Sequence, residues 1–165
     1  HRDLHSFPTR RSSDLDLLQI RDNPAIINHI ENPSTKFLCV AICINPHVIE
    51  FINKQFYIVC LRANGIALEY VKDRTVEIEL AAVKQNGNAI QFVAKPSYEV
   101  QLAAVKQNGN AIQFIEQPSR DIQIAALKQN MKAYNLIKNP DVDTTNMFFE
   151  FNKNITYAPG IYLGR

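Results

Sequence analysis

Three cysteines in 165 residues, an odd number with no secretory segment before them, argue against a disulfide scaffold and for a reducing intracellular setting, taken as cytoplasmic. Long apolar runs are missing too. The longest, FLCVAICI at 37–44, falls far short of the roughly 20 residues a membrane helix needs, so nothing is expected to span a bilayer. Charge of one sign is scarce: the formal net charge is +2, and Arg2, Arg10 and Arg11 stand against Asp3 and Asp14 in the first fifteen residues alone. The remainder is close to neutral and gives no general argument for nucleic acid. Period-two alternation of β-branched residues is absent, which leaves no candidate strand. An initiating Met is lacking as well, and the chain is expected to be a fragment of a longer protein. What is present, 46% apolar and 21% charged residues over one domain's length, suits a globular chain with a real core.

Residues 1–15, HRDLHSFPTRRSSDL, match the in-frame translation of a common short-read sequencing adapter and are read as a non-native, adapter-derived segment. Their Arg10–Arg11 pair and serines give neither a signal peptide nor a membrane segment, and the basic cluster is not taken as a nuclear signal.

The chain spells LAAVKQNGNAIQF twice, at 80–92 and 102–114. Anchoring on the Asn of that segment finds Asn23, Asn45, Asn64, Asn86, Asn108 and Asn130, separated by 22, 19, 22, 22 and 22 residues. Three residues before each stands an aliphatic residue (Ile20, Ile42, Leu61, Val83, Val105, Leu127), and seven after stands another (Ile30, Ile52, Val71, Val93, Ile115, Ile137). The six units predict an all-α solenoid over residues 16–143, built of short two-helix repeats of about 22 residues, with 144–165 as a C-terminal cap or the start of another region.

Within a unit, PSYEVQLAAVKQ reads as one helix. Ser97 and Ser119 follow prolines and precede Glu99 and Asp121, which suits an N-cap and a first turn opposing the dipole. NAIQFIEQ reads as a second, shorter helix. Helices this short are marginal alone, so neighbours must hold them, and the paired alanines such as Ala81–Ala82 and Ala103–Ala104 allow close approach. After the six Asn residues come Pro24, Pro46, Gly65, Gly87, Gly109 and Met131. Proline fixes φ near −65°, so this slot cannot be a left-handed cap; it is the first residue of the second helix, with each Asn as its N-cap. The column His29, Phe51, Tyr70, Phe92 and Phe114 is expected on the buried face of that helix.

Units reading PS-x-E-V-Q-L-A-A-V-K-Q-N-G-x-A-I-x-F resemble the helical repeats of the family catalogued as domain of unknown function 4116, which occurs in large DNA viruses and some microbes. The resemblance is strong over residues 76–137, looser over 16–75, and stops after Thr144; the shortened second link and Met131 depart from it. It implies a repeat module without assigned catalysis and carries over no active-site residues.

No catalytic, cofactor, metal or small-molecule site is expected. Asp141, Asp143 and Thr145 spell D-x-D-x-T, which resembles the nucleophile motif of haloacid-dehalogenase-type phosphatases, but the preceding Asn139–Pro140 and the register place Asp141 in the capping slot of Ser119. Cys39, Cys43 and His47 fall at intervals of four, yet Pro46 should begin a new helix and break that metal face. Register places Cys39 and Cys60 among packed apolar positions and Cys43 in the exposed slot of Lys84 and Lys106. One column is open to binding: Arg62, Lys84, Lys106 and Lys128, two residues before their Asn, joined by Gln85, Gln107 and Gln129. These are either solvated cations opposing helix dipoles or a basic, amide-rich partner-binding ridge. The expected function is a non-enzymatic protein-interaction or scaffolding module; a nucleic-acid-associated repeat using the same ridge is the alternative, and an enzyme fragment a distant third.

Overall fold

The computed structural model describes residues 12–156. Residues 1–11 of the segment read as adapter-derived, and 157–165 of the C-terminal segment, lie outside the described residues. Six α-helices, α1 (Ser12–Asp22), α2 (Thr35–Ile44), α3 (Tyr57–Ala63), α4 (Val76–Gln85), α5 (Tyr98–Gln107) and α6 (Arg120–Gln129), each end at one of the six Asn residues. Each then passes into a 3-10 helix: η1 (Pro24–His29), η2 (Pro46–Phe51), η4 (Gly65–Tyr70), η5 (Gly87–Phe92), η6 (Gly109–Phe114) and η7 (Met131–Leu136), with a single extra turn, η3 (Lys54–Phe56), leading into α3. Successive α-helices pack side by side in one layer and successive 3-10 helices in a second, so each unit touches chiefly its neighbours. No strand occurs among the described residues. The chain is therefore an α-solenoid of two-helix repeats.

Every Asn does the predicted job. Its backbone is extended, and its Oδ1 accepts from the amide two residues on, at 3.0–3.2 Å: Ala25, His47, Ile66, Asn88, Asn110 and Lys132. None of Gly65, Gly87 and Gly109 has a left-handed φ, which agrees with a first helical position that proline also fills. Of the serine caps, Ser97 Oγ accepts from Val100 N at 3.4 Å, whereas Ser119 holds the N-cap place without a side-chain bond.

The second helix is 3-10 rather than α, and this corrects the aromatic column. Bonds run from i+3 to i, as from Ala89 N to Asn86 O and Val93 N to Ile90 O, both 2.9 Å. Three residues per turn bring Gly87, Ile90 and Val93, with Ala89, onto the buried side. The position six after Asn falls at the rim: Phe51 and Phe114 are 37% and 36% exposed, His29 is exposed, and Tyr70 and Phe92 are half-buried. The aliphatic column one residue later is the core from the third unit on, with Val71, Val93, Ile115 and Ile137 buried.

The 19-residue spacing is absorbed in a linker. Only Ile52 and Asn53 join η2 to η3, and the helical stretch then begins with a 3-10 turn, which leaves α3 with 7 α-helical residues where α4 has 10. At the other end α7 (Val142–Thr156) packs on α6. Phe148 stacks on Tyr134 with centroids 4.0 Å apart, and Asp143 pairs with Arg120.

Candidate interaction face

The α-helical layer presents a row of grooves. Between α3 and α4, Ile58, Leu80 and Ala81 floor a groove of about 430 Å³ bordered by Arg62, Lys84 and Glu77. Between α4 and α5, Leu80, Leu102 and Ala103 floor one of about 460 Å³ bordered by Lys84, Lys106 and Glu99. Between α5 and α6, Ile124 and Ala125 floor one of about 470 Å³ bordered by Lys106, Lys128 and Asp121. Lys84 and Lys106 each border two grooves, so the predicted ridge is one continuous edge.

Arg62, Lys84, Lys106 and Lys128 are exposed, and among the described residues no carboxylate oxygen lies within 4 Å of any of them. Each stands in the last turn of its helix. Glu77, Glu99 and Asp121 stand in the first turns. The macrodipole suits both rows, and the seven residues from Glu99 to Lys106 set them about 10 Å apart along the helix. The face is thus an apolar stripe with a basic edge and an acidic one. Only the basic edge is legible in the sequence pattern, where Glu99 and Asp121 read as first-turn acids that suit the helix dipole.

The stripe continues toward the N-terminus through half-buried Leu17, Cys39 and Val59 and exposed Leu18 and Val40. Cys39 therefore sits half-exposed in the slot of Leu80, Leu102 and Ile124, not in the core as expected. Side-chain packing explains this: that slot looks outward between two helices, while Cys60, two positions later in the register, is fully buried. Burial pushes the Cys60 thiol up to about 12, with smaller contributions from Cys39 and Cys43. Exposed Cys43 should react first with a maleimide under native conditions, Cys39 more slowly, and Cys60 only on unfolding. Mass-spectrometric mapping of the labelled peptides checks the order, and early labelling of Cys60 would contradict the α2–α3 packing.

The glutamines of the ridge have a structural task that the sequence reading missed. Gln85, Gln107 and Gln129 keep their place on the face, but their Oε1 atoms accept from Gly65, Gly87 and Gly109 N of the preceding unit at 2.7, 2.6 and 2.6 Å. Gln107 Nε2 also donates to Gln85 O at 3.3 Å. A signal for this was present. Pro24 and Pro46 have no N–H to give, and the matching slots in the next units hold Ile44 and Ala63 instead of Gln.

Four of the capping residues, Asn45, Asn64, Asn108 and Asn130, also reach backward. Asn45 Nδ2 donates to Ile20 O and Arg21 O, Asn64 Nδ2 to Ile42 O, and Asn108 and Asn130 Nδ2 to Asn88 and Asn110 Oδ1. An amide ladder thereby fixes the register between units.

The D-x-D-x-T residues contribute to the C-terminal junction. Asp141 Oδ1 accepts from Thr144 N at 2.8 Å as the cap of α7, Asp143 pairs with Arg120, and Thr145 meets Tyr134 Oη at 3.4 Å. Cys43 and His47 are separated by the start of η2. Among the described residues no three His, Cys, Asp or Glu side chains are grouped to hold a metal, and no helix is long and apolar enough to cross a membrane. No family model matches this chain, and comparison with curated proteins and with solved structures finds no significant match to either.

Proposed function

We propose that the repeat domain is a non-catalytic protein-interaction or scaffolding module of a longer protein, a member of the helical-repeat family that its units resemble, and that residues 1–15 are not native to it. The observation that supports this reading is the row of three apolar grooves sharing an edge of exposed cations. Repeating shape and charge at one spacing suits an extended partner that meets several units at once. Nucleic acid is the second reading, supported by the ridge and opposed by the acidic row that runs parallel to it, which a phosphate backbone would also meet.

The test is the joint replacement Lys84→Gln, Lys106→Gln and Lys128→Gln. Thermal stability should hardly change, since exposed charges of this kind contribute less than about 1 kcal/mol each. Capture of the partner from a lysate should be lost, and raised salt should weaken capture by the unaltered chain. Undiminished capture by the folded variant would reject the ridge and direct attention to the polar column Glu50, Glu69, Gln91 and Gln113 on the second helices. A steep salt dependence together with nuclease-sensitive capture would favour nucleic acid.

A further inference from the structure

We infer, resting on the interaction reading above, that the partner is an amphipathic α-helix of heptad period lying along the stack. Its apolar stripe would seat in the three grooves, an acidic flank would face Lys84, Lys106 and Lys128, and a basic flank would face Glu77, Glu99 and Asp121.

Spacing selects the helix. Packed helices stand about 8–10 Å apart, so a partner crossing α4, α5 and α6 meets an equivalent groove at that interval. Seven residues of α-helix advance about 10.5 Å and return to within about 20° of the starting face. An extended strand covers the distance in about three residues, but its period of two sends successive residues to opposite faces. A polyproline helix also comes round in three residues, yet its docking relies on aromatic-lined grooves, and Ile58, Leu80, Leu102 and Ile124 provide none. Charge then selects the flanks. The lysines have no carboxylate partner among the described residues, and the acidic row stands about 10 Å away across the stripe, close to the width of one helix. Opposite charges on the two flanks also fix which way the partner runs.

Three fluorescent peptides of three heptads each test this against the full chain by anisotropy and circular dichroism. One carries Leu at the two core positions with Glu on one flank and Lys on the other. The second has the same residues in period-two order. The third is the heptad peptide with Glu on both flanks. The first should bind tightest and gain helicity on binding. Its affinity should fall about tenfold with the triple lysine variant, and similarly with Glu77→Gln, Glu99→Gln and Asp121→Asn combined, as expected from removing three partly exposed ion pairs. Equal binding of the period-two peptide, binding without helix formation, or indifference to both variants would overturn the inference. Failure of every peptide, with partner capture from lysate still dependent on the lysines, would reject the helical partner and leave the interaction module standing. Dimerisation of the chain alone, abolished by the lysine variant, would assign the face to a second copy and overturn the inference as well.

Discussion

Gly87→Ala is expected to lower the stability of the stack by about 3 kcal/mol, although alanine is the better helix former. A Cβ at this position would lie 2.5 Å from Ala104 O and 2.9 Å from Gln107 Oε1. The first of these is backbone in the next unit and cannot swing aside. Relief requires the two units to separate, which stretches the 2.6 Å bond from Gly87 N to Gln107 Oε1 and loosens the packing of η5 on η6. The sign of the effect is diagnostic. Were Gly87 only a first helical residue with ordinary φ, alanine would stabilise by about 0.4–1 kcal/mol through the unfolded chain. Urea unfolding followed by circular dichroism decides between them, and a midpoint at or above that of the unaltered chain would show that the close approach costs nothing. Because each unit leans on its neighbours, the variant should also broaden the transition, with the two sides of the stack unfolding less cooperatively.

Asn64→Asp should cost about 2 kcal/mol at neutral pH, through one of the two bonds this side chain makes. Asp is as good an N-cap as Asn, so the bond from Ile66 N to Oδ1 survives. The bond from Nδ2 to Ile42 O at 3.0 Å does not: a carboxylate oxygen replaces the donor and faces a carbonyl of the preceding unit. That contact raises the pKa of the new carboxyl in the folded state above its unfolded value of about 3.9. The penalty is then full above the folded pKa and fades as pH falls through it, because the protonated acid can again donate. Urea midpoints of both proteins at neutral and mildly acidic pH should converge on acidification. A difference that stays constant with pH would mean that the backward reach of Asn64 does not set the cost.

The aromatic column and the glutamines show where reading the sequence stopped short, for related reasons. Placing Phe92 and Phe114 in the core assumed 3.6 residues per turn, whereas a six-residue helix opened by Gly or Pro closes in i+3 bonds and rotates that column to the rim. Gln85, Gln107 and Gln129 were legible as members of a ridge because they sit beside the lysines. That their carbonyls serve the preceding unit depends on a contact 20 residues away in the chain. Register puts Cys39 in the slot of Leu80 but leaves its burial open, since it says which residues are equivalent and not how far a groove opens between two helices.

The repeat, the six Asn caps, the proline-compatible turn and the exposed basic column were determined by the sequence alone. Each rests on local chemistry: a side-chain oxygen two residues from an amide, a fixed φ, a periodic aliphatic position. The glycine requirement, the amide ladder and the pairing of a basic with an acidic edge across an apolar stripe were decided only by the tertiary structure. Each is made between units, where the distance from Gly87 to the Ala104 carbonyl, or from Glu99 on one helix to Lys84 on the next, is set by how closely two helices pack and not by any spacing along the chain.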